Sequence, residues 1–200
     1  ALLAGQNVLA ARRWVVVTGI FGQALPYRSA LRFYFEGLFF NQALPSTVGG
    51  DGVRMYRAVK AGLPVAAGVN GVLLDRISGL FALLGIVALT QPWLYDRVDD
   101  TSAHLAFAAV IAAGVGGVLV LFLCGRMPGG LMRWSAARGL VGLSNGLTAL
   151  FRNGAAAVEV FGLSFIGHIM MVSAIFLLTL DLQLNVSFID CLILVPGVML

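Results

Sequence analysis

Residues 65–93 read VAAGVNGVLLDRISGLFALLGIVALTQPW, and this stretch decides the fold. It is almost wholly apolar and exceeds the roughly 20 residues that an α-helix needs to cross the hydrocarbon core of a bilayer. Two further apolar runs, 105–123 and 155–180, are also long enough. A fourth run, 186–200, is shorter and is interpreted as part of a span. The pattern predicts a single all-α transmembrane domain that crosses the membrane several times.

The composition is incompatible with a fully water-facing surface. Hydrophobic residues make up 60% of the chain and charged residues 11%, against about 25% charged residues in an average soluble domain. The net charge of +4 could suggest nucleic acid, but the bases lie between the apolar runs. Cytoplasmic loops of membrane proteins carry bases in this way, so we expect no nucleic-acid partner. Cys124 and Cys191 lie at the ends of different runs and indicate no disulfide framework.

The N-terminal part of the chain is less regular. Residues 1–11 are too few for a span, and Val15–Leu25 is apolar but short, with arginines on both sides. We therefore interpret 1–32 as a partial helix and an interfacial segment, with no cleavable signal peptide. Because the chain starts without methionine and stops inside an apolar run, we expect a fragment truncated at both ends.

The segments between the runs alternate in charge. Residues 52–64 and 125–153 carry bases without acids, whereas 94–104 and 181–190 are rich in acids. Cytoplasmic loops concentrate Lys and Arg, so all four segments fit a single orientation. This orientation places the two basic segments on the cytoplasmic side of the membrane.

The second basic segment contains a predicted amphipathic helix over 127–152. Apolar residues recur there at helical spacing, while Arg133, Arg138 and Asn145 lie elsewhere around the helix. The apolar positions are Ala136, Leu140, Leu143, Leu147 and Leu150. This pattern indicates a helix that lies in the interface of the inner leaflet.

Residues 33–62 combine a helix-breaking stretch with a short basic helix. Pro45 stops a helix and removes a backbone donor, and Gly49 and Gly50 permit unusual backbone dihedrals. Irregular backbone at membrane depth persists only where protein or a water-filled cavity satisfies its polar groups. We therefore expect 33–50 to form a re-entrant element that enters from the cytoplasm. Main-chain donors around the two glycines would offer a site for an anion.

The short helix is predicted over 52–61. Asp51 is placed to cap its start, and this role alone would explain the residue. Arg54, Arg57 and Lys60 follow at steps of three and spread over an arc of about 120°, which makes one cationic stripe. Lipid phosphate is the expected partner of this stripe. The alternative is that these are ordinary positive-inside residues at a membrane boundary.

Asp75 and Arg76 lie about ten residues, or roughly 15 Å, into the first full span, where charges mark pathways or buried partners. Neighbours along a helix point about 100° apart, so each needs a partner from another segment. Small residues share the side of Asp75, which should therefore point into the bundle. We expect Asp75 to pair with Arg54, and Arg76 to pair with Asp51 or a bound phosphate. A purely structural buried pair is the alternative.

Glu159 and His168 are the other polar positions considered within a span, and both are interpreted as structural. They are nine residues apart and so lie on opposite sides of a helix. The sequence offers no metal-ligand spacing, no Ser/His/Asp arrangement that fits the topology and no nucleotide-binding loop. We therefore expect no metal, no cofactor and no catalytic residue in this chain.

Two motifs lie close together in the chain: NQALPSTVGGDGVR at 41–54 and LLDRISGL at 73–80, with Gly62 between them. They resemble the flippase-like transmembrane family, whose best-known member is the membrane half of lysylphosphatidylglycerol synthase. The resemblance implies a multi-pass protein of a bacterial inner membrane that moves anionic or aminoacylated lipids or lipid-linked sugars. The positions that match the family motifs are Pro45, Gly49, Gly50, Asp51, Arg54, Asp75 and Arg76.

Three functions are compatible with these features. The first is a lipid translocator in which the broken loop and the cationic stripe, Arg57 and Lys60 included, hold a headgroup while Asp75 and Arg76 line its route. The second is an enzyme or enzyme subunit that modifies lipid headgroups, alone or with a partner transferase. We expect this chain to lack the soluble aminoacyl-transfer domain of the synthase, and we expect a second Gly-rich motif of the family shortly after Pro196. The third is a membrane scaffold, as a monomer or an oligomer, in which Asp75 and Arg76 form closed salt bridges.

Overall fold

The computed structural model describes residues 2–43, 49–97, 99–126 and 134–199, and every regular element within these ranges is an α-helix. The all-α prediction is therefore confirmed. The helices are α1 (Leu2–Ile20), α2 (Tyr27–Ala43), α3 (Gly49–Lys60), α4 (Val65–Tyr95), α5 (Thr101–Cys124), α6 (Ser135–Arg152), α7 (Gly154–Asp181) and α8 (Phe188–Met199).

Three of the helices, α4, α5 and α7, are long and apolar enough to cross a membrane. The predicted runs 65–93, 105–123 and 155–180 fall inside them. Helix α8 is a shorter apolar helix within the predicted partial span. These lengths agree with a protein that crosses the bilayer several times.

Helix α1 lies at the centre of the bundle, against α7, α2 and α4. Trp14 and Val17 on this helix are fully buried. Helix α1 runs unbroken through Arg12 and Arg13 to Ile20, within the stretch 1–32 that we interpreted as a partial helix and an interfacial segment. The interfacial position of this stretch stays a prediction. The two arginines interrupt the apolar pattern but not the helix, since each has a carboxylate partner in the fold.

Small residues of α4 lie on a side that packs into the bundle, as predicted. Ala67 and Ser78 are buried, and Gly71 lies against Thr18 of α1. A β-carbon added at Gly71 would come within 3.1 Å of Thr18 Cγ2, which is a tight approach. Small side chains therefore let the two helices come close enough to bring their charged groups together.

Helix α5 lies at the edge of the bundle, and α6 packs against α5, α4 and α7. Helix α5 has no buried residue, as expected for a helix that faces lipid. Helix α6 begins at Ser135 and buries Leu143, Leu147 and Leu150, in agreement with the predicted apolar side. Ala136 and Leu140 are exposed, so that side is narrower than expected. Residues 127–133 of the predicted element lie outside the described ranges.

The two acid-rich connections lie at the same end of the bundle. Arg97, just after α4, forms an ion pair with Asp190 at the start of α8, with Nη1 and Oδ1 2.6 Å apart. This contact agrees with the predicted sidedness, which assigns both connections to the same face of the membrane. Which face of the membrane they occupy stays a prediction.

Candidate functional site

Helices α2 and α3 come into close contact through two glycines. A β-carbon added at Gly50 would overlap the carbonyl oxygen of Gly37 and lie 2.6 Å from Asn41 Oδ1. The backbone N–H of Gly50 donates a hydrogen bond to Asn41 Oδ1 at 2.7 Å. An anion site here would need exposed main-chain donors, and the Asn41 side chain already occupies the N–H of Gly50.

The glycines belong to a helix and not to a loop. Helix α3 begins at Gly49, so 49–52 form its first turn and the expected start at residue 52 is wrong. Pro45 lies in 44–48, outside the described ranges. Helix α2 ends at Ala43, and the re-entrant path between the two helices stays a prediction.

Asp51 is a salt-bridge residue inside this first turn. Its two carboxylate oxygens accept hydrogen bonds from Arg76 of α4: Nε donates to Oδ2 at 2.8 Å and Nη2 to Oδ1 at 2.9 Å. The capping interpretation is wrong because α3 starts two residues before Asp51. The predicted pairing of Arg76 with Asp51 is confirmed. A carboxylate in the first turn of a helix also interacts favourably with the helix dipole.

Asp75 is buried, with 1% of its side chain exposed, and both of its oxygens are occupied. Arg54 of α3 donates from Nη2 to Oδ2 at 2.9 Å, which confirms the expected partner. Arg13 of α1 donates from Nε to Oδ1 at 2.7 Å, a contact that the sequence analysis missed. Asp75 thus joins α1, α3 and α4 at one point.

The guanidinium of Arg54 is enclosed by aromatic rings. Its Cζ lies 4.5 Å from the ring centroid of Trp14 and 4.4 Å from that of Tyr34. Arginine stacked on aromatic faces in this way gains cation–π attraction. Its Nη1 is also 3.4 Å from Asp51 Oδ1, so Arg54 links the two carboxylates.

The predicted cationic stripe does not form one surface. Arg54 is only 4% exposed, whereas Arg57 pairs with Glu36 of α2 at 2.7 Å. Lys60 lies over the ring of Tyr56, 5.9 Å from its centroid. Steps of three residues spread these side chains around the helix. Arg54 is therefore buried against α4, whereas Arg57 and Lys60 are not.

Arg13, Asp51, Arg54, Asp75 and Arg76 form a charge cluster, which is the name used for them below. Each member is within salt-bridge distance of another. The cluster holds three guanidinium groups and two carboxylates, which leaves one positive charge in excess. Arg76 is the most exposed member, with 53% of its side chain accessible.

A cavity of about 320 Å³ opens beside the charge cluster, and it is called the polar cavity below. Arg13 Nη1 donates to Ser164 Oγ at its wall, 2.8 Å away. His168 Nε2 is 3.0 Å from the carbonyl oxygen of Gly79, and His168 Nδ1 is buried without a hydrogen-bond partner in the described part of the chain. The polar lining comprises Gln6, Asn7, Arg13, Tyr34, Arg76, Ser164 and His168.

The structure therefore divides the predicted site residues into groups. It brings Asp51, Arg54, Asp75 and Arg76 together, and it leaves Arg57 and Lys60 outside the cluster. Of these four clustered residues, only Arg76 lines the polar cavity, whereas Asp75 is enclosed by its two arginines. Among the functional candidates that sequence reasoning missed are Arg13, Tyr34 and the cavity-facing role of His168. Glu159, by contrast, forms an exposed ion pair with Arg12.

The fold and the cluster define an integral membrane protein with a net positive group of arginines at a cavity among its helices. The family model described as "Lysylphosphatidylglycerol synthase TM region" matches residues 1–200, the whole chain. The chain belongs to this family. Among curated proteins and solved structures, none matches it.

Proposed function

We propose that this protein binds the anionic headgroup of a phospholipid or a lipid-linked sugar in the polar cavity and translocates it across a bacterial inner membrane. The observation that supports this most is the position of Arg13 and Arg76, two guanidinium groups that reach the same cavity. Arginine binds phosphate with two parallel hydrogen bonds, a geometry that lysine cannot offer. The excess positive charge of the cluster favours an anionic ligand over a neutral or cationic one.

The two arginines differ in how tightly they are held. Arg13 is oriented by Asp75 and Ser164, so its direction at the cavity wall is fixed. Arg76 is half exposed and forms its salt bridge with Asp51, an interaction that an incoming phosphate can replace. We assign Arg13 to the rigid wall of the site and Arg76 to the exchangeable contact. Asp75 is a positioning residue, because it does not line the cavity and acts on the headgroup through Arg13.

The description of the family supports one further candidate. The chain would then be the membrane part of a lipid headgroup-modifying synthase, with the polar cavity presenting the lipid to a transferase. Headgroup binding is common to this candidate and to translocation. Movement of lipid between leaflets by the isolated chain is the property that separates them.

The test compares two arginines that are each paired to an aspartate. The full chain is reconstituted into vesicles that contain fluorescent phosphatidylglycerol, and transfer between leaflets is followed by chemical quenching from outside. Arg76→Gln removes charge-assisted hydrogen bonds and should slow transfer about tenfold or more. Arg97→Gln, in the exposed pair with Asp190, should leave the rate within about twofold.

Equal transfer rates in these two variants would contradict the proposal. Lipid binding that depends on Arg76, in a protein that moves no lipid above the rate of empty vesicles, would favour the synthase candidate. Loss of both binding and transfer in Arg76→Gln, with the folded protein at its normal level, is the result that we expect.

A further inference from the structure

A second concave surface lies between α4 and α5, and we refer to it as the apolar groove. Its volume is about 240 Å³, and every residue lining it is apolar or glycine. Helix α4 contributes Ile77, Phe81 and Leu84, and α5 contributes Gly117 and Val118. Because α5 buries no residue, this groove lies on the side of the bundle that faces lipid.

The groove adjoins the polar cavity at one residue. Leu80 lines both concavities and is 49% exposed. Residues advance by about 100° around a helix, so Arg76 and Leu83 lie on one side of Leu80, and Ile77 and Leu84 lie on the other. A molecule that contacts Arg76 in the cavity can therefore pass over Leu80 and reach the groove within about one helical turn.

We propose that the apolar groove holds an acyl chain of the same phospholipid whose headgroup occupies the polar cavity. This inference rests on the proposed function and adds the path of the lipid tail. Arg76 lies well inside the predicted span, so a headgroup bound there is displaced from the membrane surface. Its tail must then leave the cavity over an apolar surface, and Leu80 provides the nearest one on α4.

The tail gains little hydrophobic free energy by leaving the bilayer for the groove, since both environments are apolar. Attachment to the bound headgroup and close packing against glycine place it there. At Gly117 an added β-carbon would have no atom within 4 Å, so the groove is open at this position. A larger side chain would fill the space that we assign to the tail.

The experiment uses a phosphatidylglycerol with a photoreactive diazirine in its acyl chain. The full chain in vesicles is irradiated, and mass spectrometry locates the adducts along α4 and α5. Gly117→Leu should lower the yield of groove adducts about tenfold, because the leucine displaces the tail. Gly116→Leu is the matched control: its β-carbon also meets nothing within 4 Å, and it points about 100° away around the same helix.

The variant Arg76→Gln distinguishes adducts formed by a lipid whose headgroup is bound from adducts formed by the surrounding bilayer. A tail tethered to a bound headgroup should lose its groove adducts in this variant, whereas bulk lipid should label the groove equally with or without Arg76. Adduct yields that are equal in Gly117→Leu and Gly116→Leu overturn the inference. A change in the protein mass of the purified particle caused by Gly117→Leu also overturns it, because the groove would then be an interface between copies of the chain.

The failure of the groove is distinguishable from failure of the proposed function. If Arg76→Gln abolishes lipid transfer but leaves the groove adducts unchanged, the inference about the tail is wrong and the function stands. If Arg76→Gln leaves transfer unchanged, the proposed function is wrong, and the tail inference that rests on it is overturned as well.

Discussion

Arg13 and Asp75, 62 positions apart in the chain, form an ion pair in the middle of the bundle with Nε and Oδ1 2.7 Å apart. Arg54 occupies the other oxygen of the same carboxylate. One buried carboxylate therefore pairs with two guanidinium groups from two other helices. Asp75 fixes the positions of α1 and α3 relative to α4, and through Arg13 it fixes one wall of the polar cavity.

We expect Asp75→Asn to lower the stability of the folded protein strongly, although Asp75 itself does not line the polar cavity. The substitution keeps the size of the side chain and removes the charge that Arg13 and Arg54 share, so that Arg54 keeps only its longer salt bridge with Asp51 among the described residues. Removing one partner of a buried pair costs roughly 3 to 5 kcal/mol. The thermal midpoint and the level of the purified protein in detergent measure the effect.

Glu159→Gln is the control for Asp75→Asn. Glu159 is 38% exposed in its pair with Arg12, so we expect a change of no more than about 1 kcal/mol. Similar thermal midpoints for the two variants would show that the Asp75 carboxylate does not hold α1, α3 and α4 together as we describe.

A charge exchange tests whether the buried ion pair of Asp75 involves Arg54 alone or both Arg54 and Arg13. In a two-residue pair, D75R combined with R54D would restore the interaction. Here Arg13 also faces position 75, so the exchange places two guanidinium groups against each other, and like charges in contact repel. We expect the double variant to remain unstable and Arg13→Gln, added to it, to recover part of the loss. Full recovery in the double variant would exclude Arg13 from this ion pair.

The contacts Arg54–Asp75 and Asp51–Arg76 could be predicted from the sequence. Charges deep in an apolar run need partners, and few opposite charges are available nearby, which gives Arg54 for Asp75 and Asp51 for Arg76. Arg13 escaped this reasoning because Arg12 and Arg13 together break the apolar pattern and made the helix look too short. The apolar residues on both sides of Arg13 keep helical spacing, and this periodicity could have indicated a helix that continues through it.

The start of α3 could not be predicted from local preference. Two consecutive glycines disfavour a helix by about 1 kcal/mol each, so the sequence favours a start after them. The close approach of Gly37 and Gly50 requires the absence of side chains, and this tertiary contact overrides the local preference. Only the fold reveals that these glycines serve helix packing and not a loop.

Gly50→Ala tests this packing role. The new methyl group would meet the Gly37 carbonyl and the Asn41 side chain, and an overpacked contact costs typically 1 to 3 kcal/mol. Gly52→Ala is the matched control on the same helix, because a β-carbon there meets nothing within 4 Å. It should stabilise the protein by up to about 1 kcal/mol through helix propensity. We expect Gly50→Ala to lower the thermal midpoint and Gly52→Ala to raise it. If both substitutions raise the midpoint, the close contact between Gly37 and Gly50 is contradicted.

The orientation of the chain can be tested by cysteine labelling. Cys124 and Cys191 are free, and the predicted topology places them near the cytoplasmic and outer faces respectively. Cys191 is only 4% exposed, so it is a poor reporter. In a chain with both replaced by alanine, Asp99→Cys should react with an impermeant thiol reagent added to intact cells, whereas Arg126→Cys should not. The reverse result would invert the topology.

The last prediction concerns Asp51, which holds Arg76 through both carboxylate oxygens. A phosphate that binds Arg76 must compete with this carboxylate for the same donors, so Asp51 opposes headgroup binding while it keeps Arg76 in place. Asp51→Asn keeps the shape and removes the competing charge. We expect it to tighten binding of short-chain phosphatidylglycerol in detergent by about tenfold, whereas Arg76→Gln weakens it by a similar factor. Native mass spectrometry of the full chain with this lipid measures both changes. If Asp51→Asn weakens binding as Arg76→Gln does, Asp51 positions Arg76 for the lipid and does not compete with it.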